Sequence, residues 1–349
     1  MRILQIANAG IPLPPHHAGG VERIVYALSV ELQKMGNEVS VIADERSQLP
    51  ADINFIRLST SNPKDYLRSI WKHVCLRRRA YDVVHNHGRI AHLLPLTWSA
   101  IAKIQTLHVG ELRFYSSLPS FVRLRPRRFI IAPCGRWISE HLRSMGGVWE
   151  PVHHGLNINS YSATLSVPAD APIVHLGRLG ARKGTREAVD VCQLIGRPLV
   201  LAGTVADEEK RWFSTEILSR CDGGNVRYIG PVTDREKQDL LGSAGALLLP
   251  IEFPEAFGLV AIEALACGCP VIAYSRYSMP EIVTHGVNGF LATTRKELID
   301  AVQRTSEIDR RQCRRSFEQC FTVSHMAQRY LNLYNRGIGR NRVKGYGYA

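Results

Sequence analysis

Two carboxylates, Glu255 and Glu263, flank a short segment that contains Phe257, Gly258 and Leu259. A preceding apolar run predicts a strand that ends just before the segment, and a helix is expected to begin near Gly258. The first backbone N–H groups of a helix have no partner within it, so they suit an anionic ligand such as a phosphate. Glu255 would then lie on the loop before the helix, and Glu263 about 7–8 Å along its axis.

This separation of the two carboxylates suits a ligand with the dimensions of a nucleotide-sugar. Glu255 would accept hydrogen bonds from sugar hydroxyls, and Glu263 from the ribose, as acidic residues do in other nucleotide sites. The backbone N–H groups from Phe257 to Leu259 would meet sugar or phosphate. The alternative is an ordinary helix whose acidic residues favour its positive N-terminal end.

A second candidate site follows the predicted strand at 173–177. Arg178 and Lys183 leave the end of this strand, and Gly177 and Gly184 allow the chain to bend around a ligand. A guanidinium and an ammonium group suit a diphosphate leaving group, because negative charge builds there as the bond to it breaks. The alternative for these cations is a solvated surface, which is also the alternative for the neighbouring Arg182.

The third candidate is the pair Gly19 and Gly20, which precedes the predicted helix at 21–35. Glycines allow a backbone to approach a ligand closely, and the start of the helix offers unpaired N–H donors. Both glycines therefore suit close contact with an anionic ligand. Taken alone, the pair is equally typical of a tight turn.

Histidines end two predicted strands of the first half. His87 follows one strand and His108 follows the next, and ligands bind at the carboxyl ends of strands in open α/β sheets. His16 and His17 belong to a proline-rich loop near the first strand. We expect His16, His17 and His87 to be acceptor-side candidates, with a packed or surface histidine as the alternative for each.

Short β-rich runs alternate with amphipathic helical stretches, which predicts an α/β protein whose parallel sheets are covered by helices on both faces. The predicted strands are 2–7, 38–43, 53–58, 82–86, 103–108, 129–134, 173–177, 199–203, 226–229, 246–250 and 271–274. The predicted helices are 21–35, 64–79, 137–145, 185–195, 207–219, 234–243, 258–266, 295–305 and 324–336. An irregular stretch at 146–172 is predicted to be a hinge between two doubly wound, Rossmann-like domains that face one another.

The chain has 349 residues, which favours two domains, and no apolar run approaches the length of a membrane span. Its first residues predict a β-strand rather than a signal peptide, so a cytoplasmic protein is expected. The eight cysteines lack metal-site spacing, which favours reduced, mostly packed thiols.

The formal net charge is +13, and arginines concentrate at 77–79, 123–128, 310–315 and 336–344. No nucleic-acid-binding module is found, so nucleic acid is not expected as a partner. One interpretation is a soluble enzyme whose positive field captures an anionic nucleotide-sugar. The other is peripheral contact with an anionic membrane at the inner membrane surface.

The strand, loop and helix around Glu255 and Glu263 resemble the paired-glutamate motif of retaining glycosyltransferase family 4. With the Gly19–Gly20 and Arg178–Lys183 loops, the resemblance covers most of the chain. It implies a GT-B fold with an interdomain cleft: residues 1–155 form the acceptor-side domain, completed by a C-terminal helix within 324–349, and residues 156–323 form the donor-binding domain.

The resemblance also implies the roles of the site residues. The glycine loop, through Gly20 with Gly19 in support, would lie against the donor diphosphate, which Arg178 and Lys183 would bind. Glu255 would bind the donor sugar, Glu263 the ribose, and His108 the donor sugar near the reacting centre. The implied catalytic residues are therefore His108, Arg178, Lys183 and Glu255. The chain contains no Asp-x-Asp pair, so neither a metal nor another cofactor is expected.

The predicted activity is retaining transfer of a sugar, from a UDP-sugar in the first instance, to the hydroxyl of an unknown glycan, lipid-linked or small-molecule acceptor. One alternative is a nucleotide-sugar epimerase of the same fold, which needs no acceptor. Another is a non-catalytic basic protein that binds an anionic polymer or membrane.

Overall fold

The structure is a computed structural model that describes residues 1–15, 19–59, 62–111 and 117–339. The chain forms two compact units, which we call the first and the second unit. The first comprises Met1–Gly155 together with Val323–Ala349, and the second is Leu156–Thr322. His16 and His17 lie outside the described residues.

The first unit is built on a seven-stranded parallel sheet with the order β3-β2-β1-β4-β5-β6-β7. Its strands are β1 Arg2–Ile6, β2 Glu38–Asp44, β3 Asn54–Leu58, β4 Val83–Asn86, β5 Ala102–Leu107, β6 Phe129–Pro133 and β7 Val148–Trp149. The central strands are buried along their whole length, because helices cover both faces of such a sheet.

The helices within the first 155 residues are α1 Gly20–Lys34, α2 Pro63–Arg77, α3 Leu118–Arg123 and α4 Arg136–Leu142. In α1, Ile24, Leu28 and Leu32 recur every four residues and are buried, so they form one apolar face. α2 begins where the Asn62 side chain accepts a hydrogen bond from the Lys64 N–H, and Pro63 occupies the first turn.

The second unit contains a six-stranded parallel sheet with the order β10-β9-β8-β11-β12-β13. Its strands are β8 Ile173–Leu176, β9 Leu199–Ala202, β10 Val226–Tyr228, β11 Ala246–Leu249, β12 Val271–Tyr274 and β13 Gly289–Ala292. Its helices are α5 Thr185–Leu194, α6 Lys210–Glu216, α7 Asp234–Ser243, α8 Leu259–Ala266, α9 Met279–Ile282, α10 Arg295–Gln303 and α11 Arg310–Cys320. Both units are therefore Rossmann-like.

The last described helix, α12 Val323–Gly337, belongs to the first unit although it follows the second along the chain. Tyr330 and Tyr334 of α12 are completely buried. The Tyr334 hydroxyl lies 2.7 Å from His85 Nδ1, and the Tyr330 hydroxyl lies 2.8 Å from Thr106 Oγ1. α12 thus supplies part of the core of the first unit.

Three local predictions need correction. The helix predicted at 207–219 is a 3₁₀ turn, then α6, then a second 3₁₀ turn at Leu218–Arg220. The helix predicted to begin at Gly258 begins at Leu259, and Gly258 is its N-cap. The stretch at 146–172 is not wholly irregular, because β7 and a 3₁₀ turn at Ile158–Ser160 lie in it.

All eight cysteines lie in the described ranges, and none of them forms a disulfide. The side chains of Cys134, Cys192, Cys267, Cys269 and Cys313 are buried. Among the described residues, no helix has both the length and the apolar character that crossing a bilayer requires.

Candidate active site

The topological switch point of the second unit lies between β8 and β11. From β8 the sheet continues to β9 on one side, whereas β11 lies on the other side. Arg178 and Lys183 follow the carboxyl end of β8, and Glu255 follows that of β11. Ligands of open α/β sheets bind at such a point, so these three side chains have a suitable position for a nucleotide ligand.

The structure brings two predicted site residues into direct contact. Lys183 Nζ donates a hydrogen bond of 2.6 Å to Glu255 Oε2, and it lies 4.3 Å from the centroid of the Phe253 ring. The two side chains retain 29% and 17% of their exposure, so a ligand can reach the pair from solvent. Lys183 and Glu255 therefore form an ion pair at the switch point of the second unit.

Arg178 differs from Lys183 in its surroundings. Its side chain is exposed and, within the described part of the chain, makes no hydrogen bond or ion pair. A planar guanidinium can bind two phosphate oxygens at once. Arg178 therefore offers a charge that no carboxylate of the described residues neutralises.

A buried network holds the loop that carries these cations. His175 in β8 lies 2.8 Å, through Nδ1, from the Leu248 carbonyl of β11 and 3.1 Å, through Nε2, from Thr185 Oγ1. The Gly180 N–H donates to the same Thr185 hydroxyl at 3.0 Å. Burial lowers the pKa of His175 to about 4, so the ring is neutral at physiological pH. This network ties two strands, the loop and the start of α5 together.

The turn into α8 requires glycine at position 258. Gly258 has a φ of 87°, and a Cβ there would lie 2.6 Å from Met279 Cε. Leu259 is the first residue of α8, while the Phe257 side chain is buried. Phe257, Gly258 and Leu259 therefore lie at a helix N-terminus, and the buried ring of Phe257 leaves its backbone as the part available to a ligand.

Glu263 is more deeply buried than Glu255 and has protein partners. Its Oε1 accepts hydrogen bonds from Lys237 Nζ at 2.5 Å and from the Tyr161 hydroxyl at 3.1 Å. Burial would lower the pKa of Lys237, but the attraction and hydrogen bonds of Glu263 and Asp234 together outweigh it and raise the pKa. The structure thus gives Glu263 a stabilising ion pair in addition to its predicted role toward ribose.

In the first unit the switch point lies between β1 and β4. Gly19 and Gly20 stand at the start of α1, after β1, and a Cβ on Gly19 would lie only 2.8 Å from Pro15 Cβ. His87 follows β4, and its N–H donates to the Ile6 carbonyl of β1 at 2.9 Å. Both glycines and His87 therefore border the same end of the sheet.

His87 and His108 belong to a chain of hydrogen-bonded side chains. His87 Nε2 lies 2.7 Å from Gln5 Oε1, His87 Nδ1 lies 3.0 Å from His108 Nε2, and His108 Nδ1 lies 3.3 Å from His154 Nε2. Burial lowers the pKa of His108 to about 3 and puts that of His87 well below its usual value. These rings are neutral at physiological pH, and both ring nitrogens of His108 already have protein partners.

Sequence reasoning did not find the residues that hold these sites in place. Thr185, Lys237 and Tyr161 come from separate helices and loops, and no motif marks them. His154 lies in the stretch predicted as a hinge. Among the described residues, no group of three or more His, Cys, Asp or Glu is placed to hold a metal ion.

Two family models match the chain. The model described as "Glycosyltransferase Family 4" matches residues 18–148, and that described as "Glycosyl transferases group 1" matches residues 163–318. The first therefore covers the Gly19–Gly20 loop and the two histidines, and the second covers Arg178, Lys183, Glu255 and Glu263.

This chain is also similar to two mannosyltransferases in sequence and to one solved structure in fold. A phosphatidyl-myo-inositol mannosyltransferase of Propionibacterium freudenreichii is 24% identical over 76% of each chain. A GDP-mannose-dependent alpha-(1-6)-phosphatidylinositol dimannoside mannosyltransferase of Mycobacterium tuberculosis is 30% identical over 48% of this chain and 44% of its own. The crystal structure of Anabaena HepE in complex with UDP and glucose superposes with a TM-score of 0.72 at 18% identity, over 96% of this chain and 100% of the other.

Proposed function

The chain belongs to the GT-B glycosyltransferases of the family 4 type, and from this we propose that it is a retaining, metal-independent hexosyltransferase. The donor we propose is a UDP-sugar, and the acceptor is a hydroxyl group of a sugar or lipid. The observation that carries this proposal is the contact of Lys183 with Glu255 at the switch point of the second unit.

This contact supports a site for the diphosphate and for the sugar of the donor. Lys183 and the unpaired Arg178 would bind the diphosphate, and Glu255 would accept hydrogen bonds from the sugar hydroxyls. Negative charge grows on the leaving phosphate as the glycosidic bond breaks, so fixed cations stabilise the transition state more than the ground state. The same two cations support metal independence, because they supply the charge that a metal ion would otherwise provide.

Retention of configuration is proposed from the family. The acceptor hydroxyl would attack on the face from which the nucleoside diphosphate departs, and the departing phosphate would take the proton of that hydroxyl. Bond formation from the acceptor oxygen to the anomeric carbon and loss of the phosphate would then leave the configuration unchanged.

The nucleotide is the least constrained part of the proposal. One relative is named for GDP-mannose, so GDP-mannose is the competing donor. A panel of UDP- and GDP-sugars followed by thermal shift distinguishes them, because a ligand that binds the native state raises the melting temperature. A shift with UDP-sugars alone supports the proposal, and a shift with GDP-mannose alone overturns its nucleotide.

Catalysis is then tested with the donor that binds. Release of the nucleotide should depend on an added acceptor and should persist in EDTA, and NMR of the product should show the anomeric configuration of the donor. A new epimer formed without acceptor would identify an epimerase instead. Loss of activity in EDTA with recovery in magnesium would overturn metal independence.

A further inference from the structure

Arginines that are far apart in the sequence meet at one place in the first unit. Arg78 and Arg79 follow α2, and Arg128 precedes β6, yet all three line a cavity of about 580 Å³. Ile338, just beyond α12, lines it too. The basic sequence that includes Arg340, Arg342 and Lys344 follows directly. Arginines from two of the four arginine-rich stretches thus meet at one cavity.

The cavity lies at the amino ends of the strands. Its lining residue Asp82 immediately precedes β4, Ile101 precedes β5 and Arg128 precedes β6. His87 and His108 follow the carboxyl ends of β4 and β5, at the opposite edge of the sheet. We call this surface the amino-end face, and a partner bound to it would leave the edge with the histidines uncovered.

The amino-end face is strongly cationic. Arg78, Arg79 and Arg128 are exposed, and Asp82, the acidic residue among those lining the cavity, is bound by Arg2 at 2.8 Å. Behind the cavity, the buried Lys103 ammonium donates to the carbonyls of Ser99 and Ile101 rather than to a carboxylate. Little negative charge offsets the arginines, so an anionic partner suits the face.

Exposed apolar side chains accompany these cations. Trp98 is 68% exposed, and its indole N–H donates to the Leu124 carbonyl at 3.3 Å. Leu124 is 43% exposed, and Leu76, which precedes Arg78 by two residues, is 73% exposed. Tryptophan is enriched at the membrane–water interface because one edge of its ring is polar and the rest is apolar.

We propose that the amino-end face docks the protein onto a membrane surface containing anionic phospholipid. The arginines would meet lipid phosphates, while Trp98, Leu124 and Leu76 would enter the headgroup region. Stable peripheral binding requires both electrostatic and apolar contributions. The apolar side chains lie close in sequence to the cavity residues, since Trp98 precedes the lining residue Ser99 and Leu76 precedes Arg78 by two residues. A polynucleotide would use the charge but leave the two leucines in water, so the lipid surface is the better match.

Vesicle sedimentation of the full-length protein tests the charge contribution. The probes are vesicles of phosphatidylcholine alone and with about 30% phosphatidylglycerol. Wild type should bind the anionic vesicles at least about tenfold more tightly than the neutral ones, and the double variant Arg78→Glu, Arg79→Glu should lose most of this preference. Arg311→Glu, Arg315→Glu is the matched control, because it changes the net charge equally at exposed positions of α11.

The apolar contribution has its own pair of variants. Leu76→Ser at the end of α2 should weaken binding to the anionic vesicles about threefold or more. Leu194→Ser is the control, because Leu194 is 69% exposed at the end of α5 in the second unit. Unchanged melting temperatures would exclude misfolding as the cause.

Three outcomes overturn the proposal. They are a wild type with no preference for anionic vesicles, an equal loss of binding in the two double variants, and wild-type binding by Leu76→Ser. Tighter binding to a polynucleotide than to the vesicles, lost with Arg78 and Arg79, would assign the face to that partner instead. None of these measurements needs a sugar donor, so they fail or succeed independently of the proposed transferase activity.

Discussion

His87 Nδ1 lies 3.0 Å from His108 Nε2, and one of these two nitrogens must carry the proton between them. The surrounding hydrogen bonds decide which of the two nitrogens carries this proton. Gln5 Nε2 donates to the Tyr334 hydroxyl, so Gln5 Oε1 faces His87 and accepts from its Nε2–H. In the neutral His87 ring, Nδ1 is then the acceptor, and His108 donates through Nε2. The Gln5 amide thereby fixes the tautomer of His108.

Gln5→Leu should disturb this arrangement. The change leaves the buried His87 Nε2–H without its acceptor, so we expect a loss of about 1–3 kcal/mol in the free energy of unfolding. In ¹⁵N NMR of histidine-labelled protein, the wild-type chemical shifts of His108 Nδ1 and Nε2 should be those of a single tautomer. In Gln5→Leu, the two chemical shifts should move away from these values. Gln48→Leu, at an exposed position, is the control and should change neither quantity. An unaltered His108 spectrum in Gln5→Leu would contradict the assignment.

The protein should lose stability in mild acid. The folded state keeps His108 neutral because burial lowers its pKa to about 3, whereas the unfolded chain binds a proton below its usual pKa of 6.5. The stability from this residue is present above pH 6.5 and lost as the pH falls toward 3, by up to about 2 kcal/mol at pH 5. The pKa values of His85, His87 and His154 are lowered in the same direction.

Denaturant unfolding between about pH 7.5 and 5 measures this loss. His108→Asn should reduce the pH dependence, whereas His141→Asn, which replaces an exposed histidine on α4, should retain it. Equal stability at both pH values would show that these rings do not stay neutral in the folded protein.

Lys183→Ala and Arg178→Ala should lower kcat by about 100-fold or more, because the proposed ligand of both cations is a diphosphate whose negative charge grows in the transition state. Arg182→Ala removes a neighbouring cation whose guanidinium lies 5.3 Å from the Phe253 centroid, and it should reduce kcat only a few-fold. Steady-state kinetics on folded variants measures all three. An equal loss of kcat in Arg182→Ala would contradict the prediction. The total positive charge of the loop, rather than Lys183 and Arg178 in particular, would then determine kcat.

Glu255→Gln should lower kcat by about 100-fold while leaving the Kd of free UDP nearly unchanged, because we propose that this carboxylate binds the transferred sugar. Lys183 and Glu255 are in contact, so their combined variant should be less impaired than the sum of the single changes. Calorimetry with UDP and a double-mutant cycle on kcat provide the two measurements. Strong loss of UDP affinity in Glu255→Gln would place the carboxylate at the nucleotide instead.

Glu263→Gln should have two effects. It should weaken UDP binding by about 1–3 kcal/mol through loss of the proposed ribose contact. It should also destabilise the fold by about 1–3 kcal/mol, because the largely buried Lys237 loses one of its two carboxylate partners and keeps only Asp234. Lys237→Met is the matched variant: it breaks the same ion pair but keeps the Glu263 carboxylate. Equal loss of UDP affinity in the two variants would mean that Glu263 acts only through the ion pair.

The central strands could be predicted from sequence to within about a residue, because buried parallel strands form short apolar runs between turns. β12 lies where the sequence predicted it. β7 has only two residues, too few for a pattern, and β13 begins with a glycine. α11 escaped prediction because arginines dominate it, and few of its side chains, Cys313 and Phe317 among them, form a buried apolar side.

Predicted strand ends and glycine turns were enough to place the candidate site residues along the fold. The contacts between their side chains could not be predicted in this way. Whether Lys183 reaches Glu255 depends on two loops that follow different strands, and no local pattern encodes that distance. The pairing of Glu263 with Lys237 joins α8 to α7 through tertiary packing alone. The tautomer of His108, which follows β5, likewise depends on Gln5 in β1 and on Tyr334 in α12. These residues are far from His108 in the sequence, so no local pattern predicts the contacts.

The placement of α12 sets an order for folding during synthesis. Tyr330 and Tyr334 leave the ribosome after the whole second unit, yet they fill the core of the first unit and bind Thr106 and His85, respectively. A nascent chain that has passed Gly155 therefore carries an unfinished core with unpaired buried groups, whereas Leu156–Thr322 is continuous and can complete its own sheet first. The half that is translated first is thus the half that becomes native last.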